Sequence, residues 1–111
     1  MDQATDGGPA DSLQQDICVD VAIAGAGFSG LWTAYYLKTL APDLEICVWE
    51  AERCGDGASG RNGGWMMAAM EGETRLLAAL DGERREQVAA LIHGILPEVE
   101  SVLARHDIDC D

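Results

Sequence analysis

The chain has 111 residues, with 20 acidic against 7 basic side chains and a formal net charge of −13. That length allows one domain at most, with a small core, and the charge excludes nucleic acid as a partner, because its phosphates are repelled at long range. A phosphate held in contact is not excluded, since exposed charges are screened over about 8 Å at physiological salt while backbone amides act locally.

In chain order, residues 1–16 are polar, include Gly7, Gly8 and Pro9, and read as a disordered lead-in to a domain over 17–111. Asp2, Asp6 and Asp11 precede the first apolar run with no basic residue among them, the wrong sign for a secretory signal. No apolar stretch approaches the length of a membrane span. Cys18, Cys47, Cys54 and Cys110 show neither CxxC nor metal-ligand spacing. They read as reduced core or incidental cysteines, with no metal site, in a cytoplasmic protein.

Ile17 to Ala24 predicts a first strand, apolar enough to be covered on both faces. Gly30 to Leu40 predicts a helix that is apolar nearly all round and therefore sandwiched, ended by Pro42 and Asp43. Leu44 to Trp49 predicts a second strand, closing on Glu50. Between first strand and helix stands Gly25-Ala26-Gly27-Phe28-Ser29-Gly30, a G-x-G-x-x-G turn. This α/β layout of strand, glycine turn, helix, strand and acid is what holding a dinucleotide requires.

Each part has a physical task. Gly25 lets the chain turn where a Cβ would be strained. Gly27 presents no side chain to an approaching pyrophosphate, and Gly30 lets the helix lie close to the strand. The first-turn amides of Phe28, Ser29 and Gly30 would then point at phosphate, aided by the helix dipole. Glu50 can accept both hydroxyls of an adenosine ribose, and it disfavours a 2′-phosphate by like charge. Nothing in this unit chooses between a flavin and a nicotinamide.

Ala51 to Gly64 is a glycine-rich loop. Within it Gly57, Ala58, Ser59, Gly60, Arg61, Asn62, Gly63 and Gly64 can wrap a polar ligand, with Arg61 forking onto phosphate or stacking on a ring. A flexible surface loop is the alternative. Trp65 to Met70 reads as a buried strand or a core loop, and Glu73 to Leu80 as two helical turns. From Glu83 onward, Val88, Leu91, Ile92, Ile95, Val99, Val102 and Leu103 recur at helical spacing. The stripe keeps phase across Pro97, which predicts one long kinked helix to about His106. Ile108 to Asp111 reads as the entry to another strand.

Gly25 to Gly30, then Glu50-Ala51, then Gly57 to Gly64 together resemble the N-terminal part of FAD-dependent oxidoreductases of the D-amino-acid oxidase type. The Ala58-Ser59-Gly60-Arg61-Asn62-Gly63-Gly64 string is most similar to the gamma-glutamylputrescine oxidase branch of that family. The resemblance implies a Rossmann-like, GR2-type FAD-binding fold and oxidation of a small-molecule amine or amino acid by hydride transfer to flavin. By position it makes Ala58, Ser59, Arg61, Asn62 and Gly63 cofactor contacts and puts Trp65 and Met66 near the flavin ring. Relatives that tether flavin covalently use a His in this loop; here Arg61-Asn62 stands instead, so FAD is expected to be non-covalent.

The family's chain is several times longer. The sequence therefore reads as an N-terminal fragment whose first strand lacks one neighbour and leaves an edge unpaired. A nicotinamide-binding dehydrogenase domain and a non-catalytic fragment are the competing readings. No catalytic residue is assigned. His93, His106, the Glu83-Arg84-Arg85-Glu86 run, Trp32, Tyr35, Tyr36 and the Met66, Met67 and Met70 cluster are each read as packing or solvated surface.

Overall fold

The structure, a computed structural model, describes residues 12–110. Most of the expected lead-in, and Asp111, lie outside the described residues; Ser12 to Asp16 are neither helix nor strand. The chain divides after Gly63 into two compact units.

The first unit is one βαβ turn. Strand β1 (Val21–Ala24) leads into helix α1 (Phe28–Leu40), which returns the chain to strand β2 (Ile46–Trp49). The strands pair in parallel, with Val21 opposite Ile46 and Ala24 opposite Trp49. Both are shorter than predicted. Ahead of β1, Glu45 instead clasps the chain, its carbonyl taking the Asp20 and Val21 amides at 3.0 and 3.2 Å. The Asp20 carboxylate accepts the Glu45 amide in return, at 2.8 Å. Helix α1 begins earlier than predicted: extended Gly27 is its N-cap, and the Gly27 carbonyl already accepts the Leu31 amide at 3.0 Å.

Strand alternation fixes which face is covered. Val21 and Ile23, with Ile46 and Val48 opposite, form the half-buried face, and Ile23 lies against Gly30 of α1. Ala22, Ala24 and Trp49 on the other face are exposed, Trp49 by 52%. The expectation of a strand covered on both faces, and of a sandwiched α1, is therefore corrected. Among the described residues only one helix packs on the sheet, and α1 has no fully buried residue. Each strand also keeps one open edge among the described residues. Helix α1 carries an aromatic cluster, with Trp32 stacked on Tyr36 at 5.6 Å and edge-on to Tyr35 at 5.7 Å. At its far end Lys38 Nζ donates to the Pro42 and Leu44 carbonyls, at 2.5 and 2.8 Å, tying helix to connection.

The second unit is helical. Helix α2 (Glu73–Ala78) follows Gly72, whose φ of 79° is one that a side chain disfavours. Helix α3 (Gly82–His93) is capped by Asp81, which accepts the Arg84 amide at 3.0 Å. Arg85, expected to be merely solvated, reaches back to the Leu77 and Leu80 carbonyls at 2.8 and 3.0 Å and satisfies the end of α2. Helix α4 (Ile95–Arg105) follows after a bend of 43°.

The single kinked helix expected from the stripe is thus two helices broken at Gly94. The reason is that Gly94, not Leu96, caps α4. That places Pro97 in the first turn of α4, where a helix tolerates proline. Ile92 and Val102 are the buried residues of this unit. Trp65 to Met70 form no strand; Trp65 is 90% exposed and Met66, Met67 and Met70 are exposed too, which corrects the buried reading. Ile108 to Cys110 form no strand either.

Candidate functional site

The polar end of the βαβ unit gathers two glycine turns around one carboxylate. Gly25 leaves β1 with a φ of 99°, the conformation that favours a glycine there. Its amide is still bonded across the sheet, to the Trp49 carbonyl at 2.5 Å. Ala26, the buried residue of this unit among the described residues, lies between Glu50 and Gly55. Its amide donates to Glu50 Oε2 at 2.8 Å, and its carbonyl accepts the Gly55 amide at 2.9 Å. A Cβ on Gly30 would overlap the Gly25 carbonyl oxygen, so the third glycine is demanded by the turn's own backbone as well as by the strand.

Glu50 is exposed and does more than wait at a strand tip. Oε1 accepts the Ala51 and Glu52 amides at 2.9 and 3.2 Å, while Oε2 holds Ala26. These bonds, that from Ala26 first, hold its pKa below the usual glutamate value, and desolvation opposes them. A carboxylate offers about four acceptor positions. With three in use, Glu50 as it stands has room for one further donor, so taking both ribose hydroxyls requires it to release a backbone amide.

Ser59 brings in the second turn. It lies in a short 3-10 helix (Ala58–Gly60) and accepts the Phe28 amide at 2.9 Å. The first-turn amide expected to be free is therefore occupied by a side chain of this chain. Ser29 belongs to the same turn, and its carbonyl accepts the Thr33 hydroxyl at 2.6 Å. Asn62 folds its side-chain amide onto the Ser59 carbonyl, and Arg61 extends toward Asp56 at 3.5 Å, both partners exposed. The Ala58 carbonyl accepts the Arg61 amide, and the space beside Gly63 is open.

Of the residues singled out from the sequence, Gly25, Gly27, Phe28, Gly30, Glu50 and Ser59 come together. Arg61, Asn62 and Gly63 lie further along the same loop. Sequence reasoning missed Ala26 and Gly55, and gave Gly60 only a place in the loop. The signal was present: Gly55-Asp56-Gly57-Ala58-Ser59-Gly60 repeats the G-x-G-x-x-G spacing. Gly55 has a φ of 77°, and a Cβ on Gly60 would overlap the Gly55 carbonyl oxygen, as Gly30 does with Gly25. Of the four cysteines Cys47 is half-buried and Cys18, Cys54 and Cys110 are exposed, so Cys18 is not the core residue expected. Exposed His93 stands 3.4 Å from half-buried Glu73 on the helical unit. No group of His, Cys, Asp and Glu among the described residues is placed to hold a metal ion.

Comparison with known proteins gives a consistent picture. The family described as FAD dependent oxidoreductase matches residues 20–111. Gamma-glutamylputrescine oxidoreductase of Escherichia coli is 32% identical over 107 residues, which are 93% of this chain and 24% of that protein. Thiamine thiazole synthase of Schizosaccharomyces pombe is 43% identical over 51 residues, 46% of this chain and 15% of that one. A probable oxidoreductase, OrdL, of Rhizobium meliloti is 51% identical over 45 residues, 40% and 10% of the two chains. The chain thus spans about a quarter or less of the curated relatives it matches. No solved structure matches.

Proposed function

The chain belongs to the family of FAD dependent oxidoreductases, and on that premise we propose that it is the dinucleotide-holding part of an enzyme that holds FAD without a covalent bond and oxidises an amine or an amino acid. The observation that carries this is the carboxylate of Glu50 bonded to the amide of Ala26 at 2.8 Å, which joins the acid to the glycine turn. Residues 17–111 are taken as part of one FAD-binding domain.

The residues present fit the group. Helix α1 takes no side-chain cap from its own N-cap, Gly27, and Glu50 keeps one acceptor position open beside the turn. Gly25, Gly27, Phe28, Ser29 and Gly30 would hold the diphosphate with the N-terminal end of α1, whose dipole favours negative charge. Glu50 would take a ribose hydroxyl. Ala58, Ser59, Arg61, Asn62 and Gly63 would line the rest of the chain-like ligand, Arg61 with a paired guanidinium that can turn from Asp56 to phosphate. When bound, FAD supplies the acceptor for a hydride leaving the carbon that bears the amine nitrogen.

The substrate class rests on the long match to gamma-glutamylputrescine oxidoreductase. A cytoplasmic setting is proposed on the chemistry of four unpaired cysteines. Alone, the chain is expected to bind FAD weakly and to turn over nothing.

Titration of the 111-residue chain with FAD, followed by flavin fluorescence against an NAD competitor, tests the cofactor site. Saturable binding that NAD does not displace supports it; equal displacement by NAD would reject it. For the substrate, anaerobic addition of amines to the full-length flavoprotein, gamma-glutamylputrescine first, should bleach the visible flavin band. Bleaching by hydroxy acids and by no amine would overturn that part.

A further inference from the structure

The space beside Gly27 is already filled within the protein. A Cβ on Gly27 would lie 2.9 Å from Ser59 Oγ and 3.9 Å from Ser59 Cβ, so the hydroxyl enters through the gap the glycine leaves. There it accepts the Phe28 amide at 2.9 Å, from 31 residues further along the chain. Helix α1 has no capping side chain from its own N-cap, Gly27, so its first-turn amide takes its acceptor from the distant loop. A second bond, Gly55 amide to Ala26 carbonyl at 2.9 Å, runs between the same two turns. The carbonyl of Ser59 receives the Asn62 side-chain amide, so Ser59 is held from both ends.

We propose that Ser59 is a positioning residue that seats the second glycine turn on the head of α1, and that Gly27 is a glycine because Ser59 needs the space. The two turns then form one preassembled element before any ligand arrives. Having accepted the Phe28 amide, the hydroxyl keeps its own proton to donate, and a phosphate oxygen is the matching acceptor. What the element holds rests on the FAD reading above; how it is assembled does not.

The test is a double-substitution cycle with Gly27→Ala and Ser59→Ala in the 111-residue chain. Each protein is measured without ligand, by thermal unfolding and hydrogen exchange of the Phe28 amide, and then with FAD. In the ligand-free chain Phe28 should be protected in the wild type and exchange about tenfold faster in Ser59→Ala. Gly27→Ala should lower the unfolding temperature, and Ser59→Ala should relieve most of that drop, because the added methyl then meets no hydroxyl. With FAD, Ser59→Ala alone should weaken binding about three- to tenfold, and the double variant should bind no worse than Ser59→Ala.

Strict additivity of the two substitutions, or a Phe28 amide as unprotected in the wild type as in Ser59→Ala, overturns the proposal. Additive loss in FAD binding alongside strong coupling in ligand-free unfolding also counts against it, since Gly27 would then answer to the ligand. Failure of every protein to bind FAD would reject the cofactor reading while the ligand-free cycle still decides this one.

Discussion

A Cβ placed on Gly30 would overlap the Gly25 carbonyl and press on Ile23 Cγ2 at 3.4 Å, whereas one on Gly57 would meet nothing within 4 Å. The two glycines therefore separate structure from composition. Gly30→Ala is expected to cost about 1–3 kcal/mol by overpacking, and Gly57→Ala to stay within about 0.5 kcal/mol of the wild type. Urea unfolding of both variants checks this, and equal effects would remove the steric argument. Glu50 gives a pH prediction. Its folded pKa is depressed below the usual 4.5, so its contribution is present above that value and lost as pH falls through the folded value. Glu50→Gln places an N–H₂ among backbone donors and should flatten the acid limb of an unfolding curve between pH 5 and pH 2, roughly the range of carboxylate titration. An unchanged acid limb would show that Glu50 is not the group responsible.

Among the elements, α3 and α4 show how a continuous apolar stripe can be cut without losing phase. The Gly94 amide still bonds to the Ala90 carbonyl at 2.9 Å, and the Glu98 amide to the Gly94 carbonyl at 3.0 Å, so helical bonding runs through the bend. Pro97 removes the donor that would have reached His93, and the chain bends where that bond is missing. Pro97→Ala restores the donor and should raise helical circular dichroism slightly while leaving α4 in place; a fall in helicity would refute this account of the bend. The cap of α3 is a separate device. Asp81→Ala should cost about 1 kcal/mol, read as a lower urea midpoint with an unchanged slope.

At the scale of the molecule, the described residues bury few side chains completely: Ala26 in the first unit, Ile92 and Val102 in the second. One sheet face carries α1, while the face of Ala22, Ala24 and Trp49 is open. Stability of such a chain should depend on what it binds. FAD at a hundredfold excess over its Kd adds about 2.7 kcal/mol to the folded state, a rise in Tm of about 10 °C or more for a chain of this size. A Tm indifferent to FAD would mean the glycine turns hold no dinucleotide in this chain.

Several features were legible in the residues themselves. Alternation of apolar runs with a glycine turn, and an acid at the second strand's end, required a parallel βαβ unit, because each signal is local and has one backbone solution. Strand length, the open sheet face and the exposure of Trp65 to Met70 were not local. They depend on what packs beside each segment, which periodicity does not report. Only the folded chain revealed that Ser59 fills the place beside Gly27 and that Glu50 spends its acceptors on three backbone amides. The bonds from Ala26 to Glu50 and from Phe28 to Ser59 join residues 24 and 31 positions apart, and such separations are settled by packing and not by neighbours in the chain.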